Sequence, residues 1–342
     1  MKDIHVLITG HTGFKGAWLA ALLDAKGAKV SGVSLDPLPG GIFEKARIAE
    51  LLENDIRQDI REFSSLSKVF QKLQPDVVIH LAAQPLVLAS YTNPEETYQT
   101  NVMGTLNVLR AVEATNSVKA TLVITTDKVY QHRSGESAPF LETDALGAAD
   151  PYSTSKAMAD LLTQSWMLSH PKQKLAIARA GNVIGGGDVA PNRLFPDLFR
   201  AFQANQVASL RNPDSVRPWQ HVLDCLSGYL KICEALLSGS LSQDSFNFGP
   251  DPSSPLSVRD VAKVATDRWG DSAKCRDVSG EQPLEANLLT LDSSKAKRKL
   301  GWVEKLSPND AVSWTVEWEK VASTGVQHRN ITLEQIENFS RL

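Results

Sequence analysis

Ile4-His5-Val6-Leu7-Ile8-Thr9-Gly10-His11-Thr12-Gly13-Phe14-Lys15-Gly16, running on into the apolar-periodic Ala17–Ala25, is the stretch that decides the fold. It reads as strand, glycine-rich turn and helix. Gly10 and Gly13 let the backbone turn and come close to a pyrophosphate at the helix N-terminus, where free N–H groups and the helix dipole favour anions. Gly16 lets the helix lie close to the strand, and Thr12, Phe14 and Lys15 fill the other turn positions on the same ligand. The spacing is GxxGxxG rather than the commoner GxGxxG, and in isolation it could be a plain strand-to-helix turn. Its place at the head of an alternating chain favours dinucleotide binding.

The alternation continues outward from there. Lys29–Val33 is a second strand, ending at Ser34-Leu35-Asp36. A carboxylate at that point accepts hydrogen bonds from ribose hydroxyls and repels a 2′-phosphate, which favours NAD over NADP. Lys15 and Arg47 leave the other choice open, since either could meet a phosphate. Asp55–Asp59 reads as a short third strand with Asp59 and Ile60 edging the adenine; Asp59 could equally cap a helix over 62–73. Val77–His80 is wholly apolar until its last residue, as expected of a parallel strand covered on both faces. Leu81, Ala82 and Ala83 follow, small or apolar enough for a cofactor to press on the backbone. A long helix over 94–115 carries Asn101, either a bridge to the site or a polar core residue. Strands over 120–125 and 175–180 flank a helix that begins near Tyr152 and runs to about His170. The expected architecture is α/β, a doubly wound parallel sheet whose ligands sit beyond the carboxyl ends of the strands.

After Gly181 the elements shorten and Pro and Asn become frequent. The expected organisation is a cofactor domain over 1–180, with return segments near 184–190 and 216–224. The rest of 191–322 is mainly a smaller mixed lobe, and 323–342 forms a loosely held polar tail. At 342 residues, with 42% hydrophobic and 22% charged residues and a net charge of −3, the composition is that of an ordinary soluble protein. It gives no electrostatic reason for nucleic-acid or membrane partners. No apolar run reaches the length of a membrane span, and the opening strand leaves no room for a signal peptide, so a cytoplasmic location is expected. Cys225, Cys233 and Cys275 form no ligand pair and the histidines form no cluster, so no metal is expected.

Two further motifs carry chemistry. Tyr152 and Lys156 stand four apart on one helix face, where an ammonium could lower the phenol toward a phenolate base. Such a base would take a proton from an alcohol as hydride leaves its carbon. By itself this spacing arises by chance in many helices. Thr126-Asp127-Lys128 at the carboxyl end of the fifth strand supplies a hydroxyl, a carboxyl and an ammonium in succession.

Taken together these motifs resemble the extended short-chain dehydrogenase/reductase superfamily, a Rossmann fold, in its nucleotide-sugar branch. The likeness narrows with Gly10–Gly16, Ala82-Ala83-Gln84-Pro85-Leu86-Val87, the run from Arg179 to Asp188 and Arg217-Pro218-Trp219-Gln220-His221-Val222, which resemble the CDP-glucose 4,6-dehydratase family. The resemblance runs from Ile4 to about Trp318. It implies NAD as cofactor, Tyr152 and Lys156 as the redox base and its partner, and Thr126 as the hydroxyl on the sugar C4 oxygen. It also implies Asp127 and Lys128 as the acid and base of a dehydration. Gln84, Asn182, Arg193, Arg217, His221 and Glu285 fall where the family holds its substrate, and relatives are usually homodimers. The family has Ser at the position of Thr126, and Trp and Asp near Val189 and Asn192, which bears on the nucleobase.

The implied reaction oxidises C4 of a nucleoside-diphosphate hexose, which makes the C5 proton acidic, eliminates the C6 hydroxyl, and returns the hydride to C6. Two other classes compete. A 4-epimerase or reductase of the same superfamily generally has small neutral residues in place of Asp127-Lys128. A non-catalytic NAD-binding regulator would be expected to have lost Tyr152 or Lys156.

Overall fold

A computed structural model describes residues 1–131, 138–251, 255–278, 289–321 and 326–342. Its centre is a seven-stranded parallel sheet. The six expected strands are β1 (His5–Thr9), β2 (Lys29–Ser34), β3 (Asn54–Arg57), β4 (Val77–His80), β5 (Ala120–Ile124) and β6 (Leu175–Ala180). The chain runs outward from β1 through β2 to β3, then returns to β4 on the other side of β1 and continues to β5 and β6. That reversal opens a crevice above the carboxyl ends of β1 and β4.

A seventh strand, Gln243–Phe248, pairs in parallel with β6 and closes the far edge. It is not apparent in the sequence because its first half, Gln243-Asp244-Ser245, is polar. The edge position explains this, since Asp244 is covered by the ammonium groups of Lys295 and Lys299.

The helix Phe14–Ala25 is buried on every face from Gly16 to Leu23, because it is sandwiched between the sheet and later helices. The helix Val222–Ser238 lies on β5 and β6, and its apolar residues join the same core. The main domain takes more of 191–322 than the expected return segment near 216–224, since the whole of this helix and the seventh strand belong to the sheet domain. The smaller lobe gathers the helices Leu194–Gln203, Val258–Trp269 and Pro308–Lys320 around Phe195, Phe199, Phe202, Trp219 and Val316. The end of the chain is no loose tail either. His328–Arg341 is a helix that places Ile336 and Phe339 in the main core against the helix Phe14–Ala25.

The helix Pro151–Ser169 starts as its sequence demands. Asp150 accepts the Ser153 N–H at 2.9 Å, and Pro151 takes the first-turn place that needs no donor. Across from it, the long helix over 94–113 contains a π-helical turn at Gln99–Met103. Asn101 sits within that turn. Its Oδ1 accepts the Gln84 N–H at 2.8 Å, and its Nδ2 donates to the Gln84 carbonyl at 3.1 Å and to Ser155 Oγ at 2.8 Å. The alternative left open by the sequence is thus decided: Asn101 ties the loop after β4 to the Tyr152 helix.

Candidate active site

The cradle comes first. Gly10 has φ +81°, and a Cβ there would stand 2.7 Å from the Ala82 nitrogen. A Cβ on Gly16 would lie 2.1 Å from the Gly10 carbonyl oxygen, so this glycine lets the helix seat directly on the turn. Between them Gly13 caps the helix with extended φ/ψ. The helix N-terminus thus opens into a cleft of about 1210 Å³, lined by Gly10, Thr12, Gly13, Phe14 and Lys15. A backbone this close to the cleft, with no side chain in the way, fits a dinucleotide diphosphate. Asp36, Asp59, Ile60, Leu81, Ala82 and Ala83 line the same cleft, and Asp36 is 91% exposed at its side chain. Asp59 does not cap the following helix. It holds Arg61, whose Nη2 donates to Oδ2 at 2.6 Å, while Glu62 is the residue at the helix start. Arg47, the second candidate for a phosphate contact, is exposed and paired with Glu50 outside the cleft.

A buried hydrogen-bond series braces the cleft floor. Thr9 Oγ1 lies 2.6 Å from His80 Nδ1, His80 Nε2 lies 2.9 Å from Thr105 Oγ1, and Thr105 donates to the Asn101 carbonyl at 2.7 Å. Burial, with help from the Lys156 charge, pushes His80 down to about 3, so this imidazole stays neutral.

At the reacting end, Thr126, Asp127, Lys128, Tyr152 and Lys156 all face the cleft. Asp127 is 2% exposed. Its Oδ1 accepts the Thr126 hydroxyl at 2.8 Å, and its Oδ2 has no partner among the described residues. Burial raises this carboxyl above the usual carboxylate range, against the opposing pull of Lys128, Thr126, Lys15 and Arg217. A buried carboxyl with a raised pKa and one unengaged oxygen is suited to carry a proton and deliver it.

Tyr152 and Lys156 depart from the expectation. The Lys156 ammonium donates to the Ile124 carbonyl at 2.8 Å, and burial, reinforced by Lys15, lowers it to about 8. Burial pushes the Tyr152 phenol up to about 12, with Arg193 the foremost opposing influence and a hydrogen bond to Thr126 also pulling it down. Without ligands the phenol is therefore protonated. Burial thus opposes the phenolate form in the ligand-free chain, an effect that helix spacing does not reveal.

Across the cleft, Asn182, Arg193 and Arg217 are lining residues. Arg193 Nη1 donates to Asp188 Oδ2 at 2.8 Å, so Asp188, unassigned from sequence although its motif was noticed, orients this guanidinium. Gln84 lines the cleft but its amide is turned onto its own loop, accepting the Leu86 N–H and donating to Thr97. His221, expected at the substrate, is not there. It is fully buried between Trp18 and Trp314, and Nδ1 accepts the Leu223 N–H at 3.3 Å as a helix cap. Glu285 lies outside the described residues. Trp219, from the Arg217–Val222 motif, is buried against Phe195 with Nε1 donating to the Leu256 carbonyl. Of the two family departures, Asn192 lines the cleft, whereas Val189 packs toward Gly41. Among the described residues no three His, Cys, Asp or Glu side chains gather as a metal site.

The model of the NAD dependent epimerase/dehydratase family matches residues 6–249. A CDP-glucose 4,6-dehydratase from Salmonella typhimurium is 42% identical over 325 residues, covering 92% of this chain and 90% of the relative. A dTDP-glucose 4,6-dehydratase from Shigella flexneri is 25% identical, with 92% of each chain covered. Among solved structures, a UDP-glucose-4-epimerase from Stenotrophomonas maltophila with bound NAD and formylated UDP-arabinopyranose superposes with a TM-score of 0.83 at 22% identity, covering 95% of this chain and all of that one. A dTDP-glucose 4,6-dehydratase from Bacillus anthracis in complex with NAD gives 0.79 at 20% identity, covering 96% and 100%. These two share the fold.

Proposed function

The chain belongs to the CDP-glucose 4,6-dehydratase family, within the NAD dependent epimerase/dehydratase group, and from that membership we propose that it converts CDP-D-glucose to CDP-4-keto-6-deoxy-D-glucose. The observation that carries the reading is Asp127, a buried carboxyl at the end of β5 with an unengaged Oδ2 and Lys128 as its neighbour. An epimerase that only oxidises and re-reduces C4 has no use for such an acid.

The residues that would hold NAD are the Gly10–Gly16 turn with Thr12, Phe14 and Lys15, then Asp36, Asp59, Ile60, Leu81, Ala82 and Ala83, all lining the cleft. Bound there, the cofactor would supply a hydride acceptor for the sugar C4 and a hydride donor for C6. The side chains do the proton work. Tyr152, ionised beside its partner Lys156 once cofactor and substrate fill the cleft, takes the C4 hydroxyl proton, Thr126 holds the C4 oxygen, and Lys156 is anchored on the Ile124 carbonyl. With C4 a ketone, Lys128 or a water it orients removes the now acidic C5 proton. Asp127 delivers its proton to the departing C6 hydroxyl, which leaves as water, and the base that took the C5 proton returns one to C5 as the hydride reaches C6. Asn182, Arg193 and Arg217 hold the diphosphate and nucleoside, guanidinium groups being matched to phosphate oxygens.

The enzyme acts as a homodimer. Met158, Leu161 and Leu168 are 44%, 50% and 85% exposed along one face of the helix Pro151–Ser169, and Met103 is 50% exposed on the neighbouring helix. An apolar stripe of this kind suits a four-helix contact with a second copy. Three free cysteines, two of them buried, accord with a reducing cytoplasm, and no helix among the described residues is long and apolar enough to cross a membrane.

The test is to incubate the purified chain and catalytic NAD with CDP-, dTDP-, UDP- and GDP-hexoses and assay for a 4-keto-6-deoxy product. CDP-glucose should give the highest specificity constant, with no steady rise in reduced-nicotinamide absorbance. Stoichiometric NADH, or a C4 epimer as product, would overturn the dehydratase reading.

A further inference from the structure

At the adenosine end of the cleft, the exposed Asp36 meets a clamped arginine that the sequence does not single out. Arg57 ends β3 and pairs in register with Ser34, two residues before Asp36. Its Nε lies 3.2 Å from Asp36 Oδ1. The rest of its guanidinium is fixed from the other side. Nη1 and Nη2 fork onto the two oxygens of Asp55, the second at 3.1 Å, and the group lies 5.4 Å from the Phe43 ring centroid. Asp55 is itself braced by His11 Nε2 at 2.6 Å. His11 is wholly buried, in space left by Gly32, where a Cβ would stand 2.2 Å from the imidazole. The asymmetry matters: the guanidinium is set on a scaffold reaching into the core, while the Asp36 carboxylate, paired with Nε, is otherwise exposed to the cleft.

We propose that Asp36 and Arg57 form a cofactor-selecting pair in which the carboxylate covers a latent 2′-phosphate site. With Asp36 present, its oxygens take the ribose hydroxyls and its charge both repels a 2′-phosphate and occupies Arg57 Nε. With the carboxylate removed, Nε and its positive charge face the place where a 2′-phosphate would stand. A carboxylate with no clamped cation behind it would lose NAD on mutation without gaining NADP. The inference rests on the NAD reading above and is independent of the dehydration chemistry.

Direct titration of the full-length chain with adenosine 5′-monophosphate and adenosine 2′,5′-bisphosphate, by calorimetry, tests it without turnover. The parent should bind the monophosphate more tightly. Asp36→Ser should weaken the monophosphate and tighten the bisphosphate by about ten- to a hundredfold, the scale of one charge-assisted hydrogen bond. Asp36→Ser/Arg57→Met should lose that gain. Should this double variant fail to fold in a thermal-unfolding control, Asp36→Ser/Arg57→Lys, which keeps a cation on Asp55 but lacks the fork, should lose most of it. No gain in Asp36→Ser, or a gain that survives loss of the Arg57 guanidinium, would overturn the pair's role. Failure of the parent to bind the monophosphate at all would overturn the NAD reading and this inference with it.

Discussion

Thr126 donates its hydroxyl to Asp127 Oδ1 at 2.8 Å, and both line the same cleft as Tyr152, so the oxidising and the dehydrating groups stand side by side. The two chemical stages therefore occur within one small volume, and they can be separated by mutation. Tyr152→Phe removes the proton acceptor for C4 oxidation, so the cofactor should remain oxidised with CDP-glucose in excess enzyme. Asp127→Asn keeps the shape but cannot transfer a proton efficiently, a loss typically of about 10²–10⁴ in rate. In a single turnover it should accumulate reduced nicotinamide with a 4-keto-glucose nucleotide still bearing its C6 oxygen. Stopped-flow absorbance and borodeuteride trapping decide the matter, and deoxysugar formation at the parent rate would remove Asp127 from the acid role.

The two glycines inside the cradle should behave differently. Alanine at Gly16 would place Cβ 2.1 Å from the Gly10 carbonyl oxygen, so Gly16→Ala should lower stability by about 1–3 kcal/mol and weaken NAD binding together. At Gly13 φ is −75° and the nearest contact of a Cβ is 3.4 Å, an ordinary distance. Gly13→Ala should therefore leave the denaturant midpoint nearly unchanged while weakening NAD binding, because its methyl group points where the diphosphate approaches. Equal stability losses for the two variants in urea would contradict this assignment.

Asp224 gives the stability a pH dependence. It is fully buried, accepting the N–H groups of Lys305 at 2.7 Å and Leu306 at 3.2 Å, and burial lifts its carboxyl from 3.8 to about 7. Between those values the folded chain keeps a proton that the unfolded chain has released. This group's contribution therefore falls as pH rises through the window and is lost above about 7. Asp224→Asn cannot titrate. Its stability relative to the parent should rise between pH 4 and 7 by up to about 4 kcal/mol, then level off. A difference that stays flat with pH in denaturant titrations would be the contrary result.

The apolar stripe on the Tyr152 helix gives a test of assembly. Leu161→Arg should place a charge within the proposed helix–helix contact and shift the sedimenting species from twice the chain mass to the single chain mass at micromolar concentration. Circular dichroism should be unchanged, since Leu161 is half exposed in the single chain. A parent that sediments as one chain would reject the dimer.

What the amino-acid order determined by itself is local. The apolar run before Gly10, the glycine turn and the helix after it follow from side-chain size and backbone freedom over a dozen residues. The same holds for the first six strands, the single helix face shared by Tyr152 and Lys156, and the succession Thr126-Asp127-Lys128. The tertiary structure decided whatever depends on neighbours distant in the chain. Polar Gln243-Asp244-Ser245 became a strand because β6 offered an open edge and two lysines covered Asp244. His221, polar and beside a binding motif, went into the core because two tryptophans close over it and a helix needed a cap. Arg57 gained a part at the adenosine end through a register that sets β3 beside β2. The proton affinities of Tyr152, Lys156 and Asp127 were decided there too, because desolvation is set by what folds over a group, and no spacing along the chain encodes that distance from water.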